Sequence, residues 1–460
     1  MVQTSVSNIV GAQRSFFSSG KTRDVCFRLQ QLEILKKAIL KNEEAIVNAL
    51  QADLRKPALE ACAAEVCLTI REIDHAAKHL RSWAKAARVP TPLMYFPASS
   101  RVYREPLGVV LIIGPWNFPF QLMVIPLVGA IAAGDCAFLK PSEISSSTSS
   151  ALAGIVRDNF DPSYIALLEG GAAEAQSLLS ERFDHIFFTG GTTVGRMVME
   201  AAAKYLTPVT LELGGKSPCI VDTGVPLEIT ARRITWGKFI NAGQSCVAPD
   251  YLLVHKAVKG PLLEHMKRSI REFYGEDPSK SPDYARIINE RHFLRLSALL
   301  EEGSIVIGGN TNKEDRYIAP TIIDNVALNY KVMQDEIFGP ILPVVEYEDL
   351  AEAISIVNGR PKPLALYIFS TSSRNQQRVL NETSSGGVCI NDTTVHFATN
   401  FLPFGGVGPS GMGNYHGKAT FDTLTHQKSA LRRRFFLDVK TRYPPYRGKV
   451  NIIRRLMQLG

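Results

Sequence analysis

From residue 107 to residue 134 the chain runs for 28 positions without a charged side chain, long enough to cross a bilayer as a helix. Its interior forbids that course. Pro115, Pro119 and Pro126 each lack a backbone donor, and Asn117 and Gln121 would place amides in hydrocarbon, where no water can satisfy them. A buried strand, a turn and a buried helix account for the same residues, so the stretch is expected at the centre of a large soluble core. The composition agrees: 460 residues, 45% hydrophobic and 21% charged, suit two or three packed domains.

The flanking patterns predict what covers that core. From residue 23 to 83, apolar positions recur at helical spacing (Leu29, Leu32, Leu35, Ile39, then Ile46, Leu50, Leu54), which predicts successive amphipathic helices. Residues 88–106 are Pro-rich and extended. Between 108 and 215, short apolar runs at 109–113, 137–139, 164–168, 185–188 and 209–213 alternate with helical stretches, one of them opened by the Ser/Thr run at 145–150. Such alternation implies a mostly parallel sheet covered on both faces, with ligands at the carboxyl ends of its strands. A second alternating region, 218–390, predicts another α/β domain. The Gly-rich segment 403–413 reads as a long loop, and 424–431 as a strand used for oligomerisation.

Seven cysteines lie apart with no CxxC pair and no Cys/His cluster at zinc spacing, so neither a disulfide framework nor a metal site is expected, and a reducing, cytoplasmic setting fits. Polar residues from Gln3 to Ser7 interrupt the apolar core that a cleaved signal would need. The formal charge is +8, and the excess is concentrated: nine basic residues lie between Arg432 and Arg455 against one acid, Asp438. Nothing points to nucleic acid. The tail reads either as a solvated extension or as a peripheral contact with anionic lipid, in which 450–459 forms an amphipathic helix too short to span a membrane.

Several segments carry chemistry. In Asn241-Ala-Gly-Gln-Ser-Cys246-Val-Ala-Pro a Cys follows a small, flexible turn. A lone Cys is ordinarily a small buried hydrophobe; here Gly243 permits close backbone approach, and free amides can lower a thiol pKa and stabilise an oxyanion. Glu212 stands in the apolar run Leu211-Glu-Leu213-Gly214-Gly215-Lys216, where desolvation would raise its pKa towards that of a general base; a Glu paired with Lys or Arg is the other reading. Asn117, in Gly114-Pro-Trp116-Asn-Phe-Pro-Phe, follows the first strand of the parallel sheet and can donate to an oxyanion while Trp116 and Phe118 line an apolar channel. Lys140 and Glu143 follow the second strand. Gly190, Gly191 and Gly195 follow the fourth and precede a helix, a place for a pyrophosphate although not the usual GxGxxG spacing. Glu336-Ile-Phe338-Gly-Pro and the Gly-rich 403–413 complete the set.

In order and separation these segments resemble the aldehyde dehydrogenase superfamily along nearly the whole chain. Tyr415-His-Gly-Lys418, Tyr443-Pro-Pro-Tyr446 and the short N-terminus look like its class 3 branch, which includes fatty aldehyde dehydrogenases. The resemblance implies a Rossmann-like nucleotide-binding domain (1–84 with 106–211), an α/β catalytic domain (212–396), a small oligomerisation segment (85–105 with 397–431), a basic tail (432–460) and a homodimer. It implies oxidation of medium- or long-chain aliphatic or aromatic aldehydes to acids with NAD, and with NADP in members that accept both. Cys246 would be the nucleophile, Asn117 the oxyanion donor and Glu212 the base that hydrolyses the thioester. Lys140 and Glu143 would bind the adenine-side ribose, Gly190, Gly191 and Gly195 the pyrophosphate, and Glu336 with Phe338 the nicotinamide ribose, with Trp116, Leu213 and Gly214 beside the cofactor. Ala242, where many class 3 members carry a second Cys, and Asp335, in place of a frequent Glu, depart from the pattern. A CoA-acylating enzyme, disfavoured by the presence of Glu212, and a catalytically silent homologue are the alternatives.

Overall fold

The computed structural model describes residues 5–438 and 440–457. The charge-free stretch folds as strand β1 (Val109–Ile113), a turn and a helix, Gln121–Ala133, of which all 13 residues are buried. That helix is too short to cross a bilayer, and no helix among the described residues is long and apolar enough to do so. Pro126 sits inside it, and Gly129 lets a neighbour close in: a Cβ there would meet Thr420 at 2.1 Å.

The first sheet contains β1, β2 (Cys136–Lys140), β3 (Ile165–Leu167), β4 (His185–Thr189) and β5 (Val209–Glu212), in the order β5-β4-β1-β2-β3 and all parallel. This is the Rossmann-like order, and its direction of winding reverses beside β1, where a crevice opens. The expected 403–413 loop is only partly irregular. Its Gly411–Met412 forms a short strand antiparallel to β5, against Glu212 and Leu211.

The second sheet contains β6 (Pro218–Val221), β7 (Tyr251–His255), β8 (Ser304–Ile307), β9 (Thr321–Asp324), β10 (Ile341–Tyr347), β11 (Ala365–Phe369) and β12 (Gly387–Ile390). They are ordered β8-β9-β10-β7-β6-β11-β12, with only the β8–β9 pair antiparallel. A third, antiparallel sheet joins Ala87–Val89, Ala98–Pro106 and Thr425–Arg433. The expected C-terminal strand thus runs two residues into the basic segment, so Arg432 and Arg433 pair with Ser99 and Ala98. A helix does form over Val450–Met457, while Gln458 and Leu459, also expected in it, lie outside the described residues.

The N-terminal helices (Val6–Ser18, Val25–Lys41, Glu43–Leu54 and Leu68–Trp83) pack around this core. A π turn, Cys62–Cys67, joins the short helix Ala58–Ala61 to Leu68–Trp83. At its centre Glu65 is fully buried and paired with buried Lys56. The second Glu65 oxygen accepts the Phe120 and Gln121 amides at 3.0 and 3.1 Å, which caps the buried helix where no water reaches. Lys56 Nζ donates to the Asn117 carbonyl at 3.1 Å and stands 4.1 Å from the Phe118 ring centroid.

Removing one member of such a pair leaves an uncompensated charge in the core. Lys56→Met is therefore expected to cost about 3–5 kcal/mol of stability, measured as a fall in the denaturant midpoint. An unchanged midpoint would show that the helix cap does not depend on the pair.

Candidate active site

A cavity of about 790 Å³ opens where the carboxyl ends of the first sheet face loops that enter the second. Its walls include Gly114 after β1, Lys140 ending β2, Gly190 and Gly191 after β4, and Glu212 ending β5. From the other side come Cys246, shortly before β7, and Glu336, shortly before the neighbouring β10. Strand polarity thus brings together residues more than 100 positions apart in the chain.

Twelve of the thirteen residues singled out from the sequence line this cavity: Trp116, Asn117, Lys140, Glu143, Gly190, Gly191, Glu212, Leu213, Gly214, Cys246, Glu336 and Phe338. Gly195 does not. It is buried in helix Thr192–Ala203, where a Cβ would come within 2.7 Å of the Leu213 side chain, so its smallness serves helix–strand packing rather than ligand contact. Phe118 also departs from expectation: its ring faces Lys56 and does not line the cavity, while Trp116 packs edge-on to Phe338 at 5.3 Å and against His292 at 5.1 Å.

The turn before Cys246 has three successive left-handed residues, Asn241 (φ 52°), Ala242 (φ 51°) and Gly243 (φ 72°). Asn tolerates that region and Gly is free in it, whereas Ala242 carries a steric cost that the surroundings must hold in place. They do so through hydrogen bonds. Glu60 accepts the Asn241 backbone N–H at 2.9 Å, and the Asn241 side chain donates to the carbonyls of Asn117 (2.9 Å) and Gln244 (3.1 Å). The Gln244 side chain donates to the Arg286 carbonyl and accepts the Ile288 amide. Asn117 Nδ2 donates to the Gln244 carbonyl at 3.1 Å, which fixes that amide beside the Cys246 turn. A Cβ on Gly243 would strike the Gly339 carbonyl at 2.3 Å, so this turn and the Glu336 loop are in direct backbone contact.

The Glu336 loop has its own anchor. Buried Lys216 and Asp250 pair at 2.6 Å; Asp250 accepts the Ile337 amide, and Lys216 donates to the Asp335 carbonyl at 3.1 Å. Only the backbone of Asp335 is used there, so the Asp-for-Glu departure leaves this contact intact. Gly214 permits the next approach, since a Cβ would meet the Glu336 carboxylate at 2.0 Å.

Burial dominates the electrostatics. It pushes the Glu212 carboxyl well above the usual range, and neither oxygen has a hydrogen-bond partner among the described residues. This favours the desolvated-base reading over the ion-paired one. Burial and the neighbouring Asp250 raise Glu336 to about 8, against the Gly215 amide and Lys216. The half-buried Cys246 thiol is pushed up by desolvation, then by Glu336 and Glu212; the Cys246 and Val247 amides pull it down, as the turn suggested, but do not prevail. All three groups are therefore held towards their neutral forms at neutral pH.

At the opposite end, helix Thr192–Ala203 starts at Gly191 with no side-chain cap and no acidic residue in its first turn, and Gly191 faces open space. Its free amides suit an anionic group. Lys140 Nζ donates to the Pro141 and Gly170 carbonyls at 2.7 and 2.6 Å and lies 3.7 Å from the exposed Glu143 carboxylate. Sequence reasoning missed Arg291, His292 and Arg295 on the cavity wall. Their spacing puts them on one turn of helix Glu290–Ser297, but no local pattern distinguishes it from an ordinary basic helix face. Burial and the two arginines lower His292 to about 4, so a neutral ring meets Trp116. Lys238, fully buried with no partner for Nζ among the described residues and lowered by burial to about 8, was missed as well.

Comparison with known proteins gives this geometry a context. The profile of the aldehyde dehydrogenase family matches residues 2–430. The 4,4'-diaponeurosporen-aldehyde dehydrogenase of Staphylococcus aureus is 48% identical over 443 residues, covering 96% of each chain. Aldehyde dehydrogenase family 3 member A2 of Rattus norvegicus is 51% identical, covering 94% of this chain and 90% of its own. The substrate-bound structure of Staphylococcus aureus AldH superposes with a TM-score of 0.97 at 47% identity, over 98% of this chain and 99% of that one. With two facing α/β sheets, a cleft at their strand ends and relatives of this closeness, the chain belongs to the aldehyde dehydrogenase family, in its family 3 branch.

Proposed function

We propose that Cys246, Asn117 and Glu212 perform the aldehyde oxidation of this NAD(P)-dependent aldehyde dehydrogenase. The Cys246 thiol releases its proton to solvent as the sulfur adds to the aldehyde carbon. Asn117 spends one Nδ2 hydrogen on the Gln244 carbonyl, which leaves the second for the oxyanion beside the Cys246 backbone amide. A bound NAD(P) would supply the hydride acceptor for that carbon. Glu212 then takes a proton from water as its oxygen attacks the thioester, and the acid departs as the C–S bond breaks. What carries this reading is Glu212: a buried carboxyl with neither oxygen partnered among the described residues, in the same cavity as the thiol.

A dinucleotide suits the residues present. The uncapped helix behind Gly191 would supply amides for a pyrophosphate, Glu143 and Lys140 line the same cavity and would hold a ribose, and the Gly214 gap admits the Glu336 carboxylate. For the substrate, Trp236 on helix Leu227–Phe239, Ile390 and Val395 are exposed apolar residues. Hydrogen bonds between Arg233 and Asn391, and between Thr393 and Arg233, hold that helix against the 390–395 segment. The helix leads into the Cys246 turn, and apolar side chains on these segments would suit medium- or long-chain aliphatic or aromatic aldehydes. The relative named for 4,4'-diaponeurosporen-aldehyde supports the same preference.

Two further readings concern partners. Thr425–Arg433 occupies the edge of its sheet with exposed residues along it, which suits pairing with a second copy in a homodimer. Phe435 and Phe436 are exposed next to Arg432–Arg434, which suits peripheral contact between an otherwise cytoplasmic protein and an anionic membrane.

Three experiments test these readings. Cys246→Ala is expected to abolish NADH formation, whereas Glu212→Gln should release one rapid equivalent of NADH and then turn over slowly. Because Glu212 works deprotonated and its pKa is raised, wild-type turnover should climb with pH; in Glu212→Gln that climb should vanish. A Glu212→Gln enzyme with no burst but intact cofactor binding would contradict the deacylating role. Glu143→Gln removes a charge that repels a 2′-phosphate and should shift kcat/KM towards NADP by about tenfold, roughly 1.4 kcal/mol; an unchanged ratio would place the ribose elsewhere. In sedimentation, the full chain and a chain ending at Arg434 should both run as dimers, and only the full chain should pellet with anionic vesicles. A monomer, or equal pelleting, would overturn the corresponding reading.

A further inference from the structure

Cysteines five apart on a regular α-helix point about 140° away from each other. Here the π turn Cys62–Cys67 rotates them onto one side, with their sulfurs 3.3 Å apart. Spacing along the sequence gave no sign of this, because the wider turn is what makes i and i+5 neighbours. Cys67 is exposed and Cys62 half-buried. Cys62 Sγ also lies 3.6 Å from a Glu43 carboxylate oxygen.

The same six residues carry more than thiols. Glu65, between the two cysteines, caps the buried helix and holds Lys56 against the Asn117 carbonyl. Glu60, two residues before Cys62, accepts the Asn241 backbone amide of the left-handed turn. Both carboxylates that brace the active centre therefore hang on the π turn or its immediate approach.

We propose that Cys62 and Cys67 form a dithiol modification site, oxidised by peroxides to an intramolecular disulfide that slows aldehyde oxidation by displacing Glu60 and Glu65. Cys67 sulfur attacks one peroxide oxygen; the O–O bond breaks, one water leaves and a sulfenic acid forms. Cys62 sulfur then displaces the sulfenic hydroxyl, which departs as a second water with the Cys62 proton, and Glu43 is placed to relay it. Two thiols lose two electrons and one hydrogen peroxide gains them. The order follows from exposure, since Cys67 faces solvent and Cys62 is half-buried beside the Glu43 carboxylate. Closing to a bonding distance needs a movement of about 1.3 Å, and displacement on that scale at an active centre costs up to about a hundredfold in rate. The coupling to turnover rests on the roles proposed for Asn117 and Cys246; the oxidation itself does not.

The test treats full-length wild type, Cys62→Ser and Cys67→Ser with hydrogen peroxide. Tryptic fragment 56–71 contains both cysteines, and fragment 239–256 reports Cys246 separately. In wild type, fragment 56–71 should lose the mass of two hydrogens before fragment 239–256 is modified. Turnover should fall about ten- to a hundredfold and return with dithiothreitol, while both serine variants start at wild-type activity and keep it under the same exposure. If fragment 56–71 keeps two free thiols when Cys246 is already oxidised, the modification site is refuted. If the disulfide forms but wild type and Cys67→Ser lose activity equally, the coupling is refuted while the proposed roles of Asn117 and Cys246 stand.

Discussion

The carbonyl oxygen of Asn117 is where this molecule is tied together. It accepts from Lys56, on the N-terminal helical layer, and from Asn241, on the turn that presents Cys246. Lys56 can be buried there only because Glu65 neutralises it, and Glu65 is tolerated because it also receives two amides at the start of the helix Gln121–Ala133. Each member satisfies a polar group that would otherwise be orphaned in the core. A single network thereby fixes the buried helix, the side chain of Asn117 and the strained turn before the thiol. The two sheets can then face each other with their functional loops in register.

Within that frame, burial of the ionisable groups that line the cavity sets their charge state. Two carboxyls and a thiol share the space, and desolvation outweighs the amides that would stabilise their ionised forms. Neutral groups avoid mutual repulsion at rest. Two cationic side chains nearby are committed elsewhere: Lys216 to Asp250 and Asp335, and Arg295 to the Ile337 carbonyl. Those pairings position the Glu336 loop rather than ionise the thiol.

The legible parts of the sequence were those with strong local periodicity. The uncharged stretch, the alternating strands of the first sheet and the turn at Cys246 could be read directly, because apolar runs and small residues report burial and backbone conformation at their own positions. Twelve of the thirteen selected residues meet in one cavity because the carboxyl ends of the first sheet's parallel strands face the loops that enter β7 and β10 of the second. What could not be read depends on partners distant in sequence. Gly195 looked like a phosphate glycine, and only the position of Leu213 reveals it as a packing contact. Phe118 looked like a channel wall until Lys56 appeared across its ring. The nearness of Cys62 and Cys67 required a π turn, which has no dependable local signature, and the helix at Glu290–Ser297 was an unremarked basic face.

The three left-handed residues ahead of Cys246 also restrict how this protein can diversify. At φ 51° a β-branched side chain at position 242 would be severely strained, and at Gly243 any side chain would collide with the Gly339 carbonyl. Evolution or a protein engineer can thus reshape the pocket from walls away from this turn, but the wall nearest the sulfur accepts only a short alphabet of small, unbranched residues. New substrate ranges should accordingly arise from the entrance inwards, with the chemistry left untouched.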